Sequence, residues 1–350
     1  MPGLWPEFIP DLLHSKNSYH IEIKSLANSE LEKELKQKIE NNPGPLSGLG
    51  FLSDIAVKLG LIQKSLHPVI KKTALLIFAA DHGIAESHII PGPKEATHQK
   101  VRQFLDGNHP VITHSKKHKI NVRLVDVGVN HSFEKQFNYW LHKGKKLIDR
   151  KITNGTNNFL IHAALSTEDA LNAIETGRTI AGNEIRNGAQ CISISQISHG
   201  ADLSITALYS TLFQLKVEDL TNREESLVNL IQKALNRDPM THDIITILSL
   251  YGGLEIAATC GAMLESASQG IPFITEGHGG LISLVIAAQI NKEVLAYAFL
   301  ASVGHDTISQ KMLNQLQIEP LLNLGSQEAE GMGILLSYPI IKQAEMLLKN

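Results

Sequence analysis

Cysteine is nearly absent from this chain. Only Cys191 and Cys260 occur in 350 residues, each inside an apolar run. They read as buried thiols of a reducing compartment, not as a disulfide framework. An excess of positive charge is also missing: Lys and Arg number 32 against 35 Asp and Glu, a formal net charge of -3. Without a basic stripe, a nucleic-acid partner is not expected. The patch Lys143-Gly144-Lys145-Lys146 is short and reads as a solvated loop. Apolar runs are broken by Gly, His or charge before they reach about 18 residues, so no membrane span is expected. The stretch Met1-Pro2-Gly3-Leu4-Trp5-Pro6 shows no basic region followed by an apolar segment, hence no signal peptide and a cytoplasmic expectation. Sixteen histidines are scattered without the spacing of a metal cage. No strand runs into Gly-x-Gly-x-x-Gly with an acid about 20 residues on, which argues against a dinucleotide-dependent dehydrogenase.

What is present is a chain with 43% hydrophobic residues, long enough to bury a large core in one or two domains. Ser29-Glu30-Leu31-Glu32 has capping character, and Leu31, Leu35 and Ile39 share a helical face. After the break at Asn41 to Gly50, a second helix carries Leu52, Ile55, Ala56, Leu59 and Ile62. The pattern then changes. Thr73 to Ala80 is a continuous apolar run, as expected of a parallel strand covered on both faces, and it ends in Asp81-His82-Gly83. Further strands are predicted at Asn121–Val129, Gly188–Ile194, Ile271–Thr275 and Val294–Leu300, separated by helical segments. Among these are one opened by Ser166-Thr167-Glu168-Asp169, one opened by Asp238-Pro239, and a small-residue-rich helix from Glu255 to Ser268. Strand-helix alternation implies right-handed crossovers and a mostly parallel sheet. The predicted fold class is α/β, a Rossmann-like parallel sheet with helices on both faces over residues 73–303. A small helical subdomain is formed by residues 1–72 together with 304–350.

Polar groups recur where these strands end, the place where open α/β sheets bind ligands. Ser195 to Asp202 joins a strand to a helix through Gly200, an arrangement able to cradle phosphate on free N–H groups; a plain connection is the alternative. Glu276-Gly277-His278 at the next strand end reads more readily as a satisfied structural pair than as chemistry. Near the C-terminus, Gly325-Ser326-Gln327-Glu328-Ala329-Glu330-Gly331-Met332-Gly333 places Glu330 between two apolar segments. Flanking glycines let backbone approach a ligand. Apolar surroundings are expected to raise its pKa above the usual value of about 4.3. On its own the stretch reads more readily as a surface loop.

Several separated motifs, in order, carry a resemblance. They are Phe78-Ala79-Ala80-Asp81-His82-Gly83-Ile84-Ala85, Val125-Asp126-Val127-Gly128-Val129, Tyr251-Gly252-Gly253-Leu254-Glu255-Ile256-Ala257-Ala258, Ile318 to Gly325, and Glu330-Gly331-Met332-Gly333. From about Gly44 to the C-terminus the chain resembles the nicotinate-nucleotide–dimethylbenzimidazole phosphoribosyltransferases of cobalamin lower-ligand assembly. The resemblance implies a Rossmann-like domain with a small domain from both chain ends, in a homodimer. It implies transfer of 5-phosphoribose from nicotinate mononucleotide to a benzimidazole-type base, with neither metal nor cofactor. Glu330 matches the family's general base. The loop from Asp81 through Gly92 toward Gln99 borders the acceptor, and Gln196, Gly200, Gly325, Gly331 and Gly333 fall on other substrate-binding stretches.

The chain departs from the family on the donor side. A Glu-Met-Gly-Ile-Gly-Asn-Thr-Thr motif is replaced by Gln196 to Leu203, with Asp202 adding negative charge where a phosphate is expected and Leu203 removing a hydroxyl. A Gly-Arg-Gly-Thr-Gly loop is replaced by the acidic Val217 to Arg223. The Lys-Pro-Pro-Gly-Ser-Leu-Gly pattern becomes Asn42 to Gly48. Three readings stay open: the family reaction with a rebuilt phosphate site, transfer with another donor or acceptor, and a non-catalytic binding or partner subunit. Whether Glu276, His278 or His305 line the pocket is not set by the sequence.

Overall fold

The computed structural model describes residues 19–41, 49–87, 96–133, 147–221, 224–238, 240–325 and 330–349. Gly92, the Lys143 to Lys146 patch and all of Asn42 to Gly48 lie outside them. Six strands form one parallel sheet: β1 Thr73–Asp81, β2 Asn121–Gly128, β3 Leu147–Asp149, β4 Cys191–His199, β5 Phe273–Thr275 and β6 Ala298–Leu300. Their order is β3-β2-β1-β4-β5-β6, with every pairing parallel. The α/β expectation is thereby met. In β1 every residue from Thr73 to Ala80 is buried, because helices cover both faces and no position can be polar without losing water. Chain direction across the sheet reverses between β1 and β4, which pair from Thr73↔Cys191 to Asp81↔His199. That switch opens a crevice beyond the strand ends, and the polar strand-end residues collect there.

Sequence reading misplaced several boundaries. β4 continues through Ser195 to His199, a stretch read as loop; its burial alternates there, so the apolar-run criterion stops too early. Val294 to Tyr297 belongs to a 3-10 turn, Lys292–Tyr297, and only Ala298–Leu300 is strand. Asp238 ends helix Glu225–Arg237, and the next helix is instead opened by Asp243, whose carboxylate accepts from Thr246 N at 2.8 Å. The first helix, α1 Ser29–Glu40, is capped by Asn28, which accepts from Leu31 N. The short edge strand β3 and helix Pro110–Lys117 carry too little apolar pattern to be seen.

Helices from the two ends of the chain pack together. Met332–Leu347 lies against α2 Phe51–Gln63, and α2 against α1. On the other side, helix Thr167–Arg186, capped by Ser166 as expected, packs closely on Leu254–Ser268. The small residues explain this. A Cβ on Gly177 would stand 1.8 Å from the Ala258 carbonyl oxygen, and one on Gly261 would stand 1.9 Å from that of Ile174. Both glycines permit backbone-to-backbone contact that no side chain can share. Cys191 and Cys260 are buried free thiols, and burial pushes Cys191 up to about 12.

Substituting Gly177→Ala should therefore force the two helices apart. A loss of at least about 2 kcal/mol is expected, at the upper side of overpacking costs, read from urea denaturation midpoints.

Candidate active site

Following α1 and α2, the described helices that surround the sheet are α3 Ala96–Asp106, α4 Pro110–Lys117, α5 Thr167–Arg186, α6 Ala201–Phe213, α7 Glu225–Arg237, α8 Ile244–Tyr251, α9 Leu254–Ser268, α10 Gly277–Ile290, α11 Thr307–Leu316 and α12 Met332–Leu347.

Glu330 stands immediately before α12, at φ +46°, a left-handed conformation rare for a residue with a side chain. Gly331 follows at φ +104°. The turn is held by a second acid. Glu276, at the end of β5, is 4% exposed and accepts from the Gly331 amide, from Ile334 N at 2.9 Å and from Ser195 Oγ at 2.7 Å. It thus occupies the N-terminus of α12, where free amides and the helix dipole favour a carboxylate. Burial pushes its carboxyl above the usual range, against these bonds, which favour the anion. Gly333 is obligatory here, since a Cβ would lie 2.7 Å from Glu276 Oε2 and 2.3 Å from Ser302 Oγ.

Two cations or donors face Glu330. Lys100 Nζ from α3 lies 2.5 Å from Oε1, and His109 Nε2 from the start of α4 lies 2.9 Å from Oε2. The Glu330 side chain is 15% exposed. Burial raises its pKa, but the bonds from His109 and Lys100 outweigh it and the net shift is downward. This corrects the expectation of a raised pKa: apolar neighbours in sequence are not the neighbours in space, and opposite charge within hydrogen-bond reach dominates.

Asp81, at the end of β1, accepts from Asn130 N at 2.8 Å and lines a cavity of ≈ 240 Å³ with His82, Glu86, His98, His131 and Thr156 among others. His98 and His131 stack at 3.6 Å. Burial raises the Asp81 carboxyl pKa. Helix α3 joins the two regions, because His98 faces this cavity while Lys100 meets Glu330. Gln99 between them is exposed.

The remaining predicted residues sit elsewhere. Gln196 Nε2 donates to the Gly279 carbonyl at 3.2 Å and Ser283 Oγ at 3.0 Å, fixing the first turn of α10. Gly200, at φ +93°, caps α6. Gly325, at φ +65°, lies against the exposed His305 ring, which bonds Asn323. Leu203 is core, 1% exposed, so its replacement of a hydroxyl serves packing. Asp202 is not a bare negative charge: His278 Nδ1 is 3.9 Å away, and His278 Nε2 lies 2.5 Å from Asp306 Oδ2. Glu276 and His278 are accordingly satisfied, but by different partners and not by one another. Despite burial, the two carboxylates raise His278 to about 9.

Sequence reasoning missed one buried constellation. His82 Nε2 lies 2.7 Å from Glu255 Oε1 and Nδ1 3.1 Å from Ser204 Oγ. It resembles a nucleophile triad, yet Ser204 donates to the Tyr251 carbonyl at 2.5 Å and Ser204 and Glu255 are fully buried, so the group orders the core behind the cavity wall. His82 and Glu255 fall in two motifs already singled out, which was the available signal. No group of three or more His, Cys, Asp or Glu side chains placed to hold a metal ion occurs among the described residues, and no described helix is long and apolar enough to cross a membrane.

A phosphoribosyltransferase family model matches residues 25–350. The nicotinate-nucleotide–dimethylbenzimidazole phosphoribosyltransferase of Bacteroides fragilis is 30% identical, covering 91% of this chain and 93% of that protein. The chain belongs to this phosphoribosyltransferase family. The enzyme of that name from Citrifermentans bemidjiense is 31% identical over 91% of each chain. The crystal structure of the corresponding Thermus thermophilus enzyme shares the fold, with a TM-score of 0.82 at 24% identity over 92% of this chain and 96% of that one. The activity class of the family is phosphoribosyl transfer, which closes the dehydrogenase reading.

Two outcomes are expected. Glu276→Ala leaves two amides and a hydroxyl buried without an acceptor. At about 1–3 kcal/mol for each of the three unsatisfied groups, stability should fall by at least about 3 kcal/mol in urea titrations. The charged His278 stabilises the fold fully below its unfolded pKa, about 6.5, and that contribution disappears as pH rises through about 9. Stability should decline from pH 7 to pH 10 by on the order of 1–2 kcal/mol more in the parent than in His278→Gln.

Proposed function

We propose that this chain transfers 5-phosphoribose from nicotinate mononucleotide to 5,6-dimethylbenzimidazole or a related azole, giving α-ribazole 5′-phosphate and nicotinate. The observation that carries the reading is Glu330, kept ionised by Lys100 and His109 in a turn ordered by Glu276. In the step, the C1′–nitrogen bond to nicotinate breaks and its electron pair neutralises the cationic ring. A new C1′–nitrogen bond forms to the azole, whose N–H proton passes to a Glu330 oxygen. As the azole gives electron density to C1′ its N–H becomes more acidic, so a carboxylate of lowered pKa suffices as general base. Asp81 and Gln99 border the acceptor in this reading, Gly325 falls on another substrate-binding stretch, and Gln196 and Gly200 shape the donor side. Gly331 and Gly333 let the turn close.

The resemblance also supports a division into residues 73–303 and a small lobe from 1–72 and 304–350, and a cytoplasmic homodimer. Exposed apolar Phe51 on α2 and Leu336 and Met346 on α12, two helices packed together, are consistent with such a contact. A second reading, an altered donor, is favoured by the carboxylates of Asp202 and Asp306 gathered about one His278 at the start of α6, α10 and α11. Their summed charge disfavours a phosphate dianion nearby.

The test is nicotinate release from nicotinate mononucleotide in the presence of dimethylbenzimidazole. Glu330→Gln should lower kcat by roughly 100-fold to 10,000-fold. Parental activity in that variant would reject the assignment of the base. Weak heats of nicotinate mononucleotide binding in the active parent would favour the altered donor.

A further inference from the structure

We propose that His109 is a positioning residue for Glu330, acting as a hydrogen-bond donor whose tautomer is set by the N-terminus of α4. This rests on the reading of Glu330 as the base. His109 is the N-cap of α4, and its Nδ1 accepts from the Val111 amide at 3.4 Å. A nitrogen that accepts from an amide carries no proton, so in the neutral ring the proton resides on Nε2. That nitrogen is the one 2.9 Å from Glu330 Oε2. Stacking on Phe104, at 3.8 Å between centroids and 14° between planes, fixes the ring orientation. Helix capping, aromatic stacking and the bond to the carboxylate therefore agree on a single ring pose.

Two consequences follow for the reaction. First, Nε2 already bears a proton, so His109 cannot take the azole proton from Glu330 by that nitrogen; its role is to donate, and Glu330 itself is the terminal acceptor within this pair. Second, the groups facing Glu330 are Lys100 of α3 on Oε1 and His109 of α4 on Oε2, while the neighbouring carboxylate of Glu276 is turned to the amides of α12. Among the described residues each Glu330 oxygen has one donor, which leaves a lone pair for an azole N–H. The arrangement holds the base ionised and in one orientation without blocking it.

The test separates this role from the catalytic reading. With glutamate carboxyls labelled with carbon-13, and the Glu330 signal assigned through Glu330→Gln, NMR titration of the full chain reads Glu330 ionisation whether or not transfer occurs. In His109→Leu the Glu330 pKa should rise by about one unit, since a charge-favouring hydrogen bond is lost. In His109→Gln, whose amide can donate in place of Nε2, it should stay near the parent value. The acid limb of kcat should move in parallel, lowering kcat about tenfold on the acid side in His109→Leu, with the acceptor KM nearly constant. An unchanged Glu330 titration in His109→Leu, or equal shifts in both variants, would overturn the proposal. Absence of nicotinate release by the parent, with the titration shift present, would instead overturn the catalytic reading.

Discussion

The structure turns on one buried carboxylate, Glu276, set against the first amides of the last helix. Its oxygens take the Gly331 and Ile334 amides and the Ser195 hydroxyl, so a strand-end acid, the middle of β4 and the C-terminal segment meet at a single group. A buried anion is tolerable only when hydrogen bonds replace the lost water. Helix amides supply them, and in return the helix start is pinned to the sheet. Glu330, next to those amides, inherits its position from this anchor. The left-handed backbone at Glu330 and Gly331 is the geometric cost of bringing a chain end across to the sheet and reversing it into α12.

Around that anchor the protein sorts its carboxylates by environment. Glu330 has a lysine and a histidine at its two oxygens and is driven toward the anion. Asp81 and Glu276 are raised by burial. Asp202 and Asp306 share His278 and hold it positively charged. Carboxylates distant in sequence thus take different states because of what faces them, which is how one sheet edge can hold an ionised acid, an anchor and a charge clamp together. The donor-side departures gain a physical sense here: Asp202 is answered by a histidine, and Leu203 is a core residue.

Much of the fold was legible from the chain. The all-apolar β1, the Ser166 cap and the strand-helix alternation led to a parallel α/β sheet, since burial on both faces leaves a continuous apolar run that periodicity exposes. Boundaries failed where the signal is not apolar: the alternating end of β4, the 3-10 turn before β6, and the three-residue edge strand β3. Strand order could not be read at all, because register and neighbours are set by packing of distant segments.

For the site, the motifs alone determined that Glu330 sits in a glycine-bounded turn and that Asp81 closes a buried strand. Local identity and spacing are properties of the chain itself. What surrounds each group was decided by tertiary structure: Lys100 and His109 come from helices more than two hundred residues away, and they reverse the pKa direction that the local apolar run suggests. Electrostatic interaction weakens with distance in space, as the inverse of the separation and faster where solvent and salt screen it, and sequence separation carries no record of that distance.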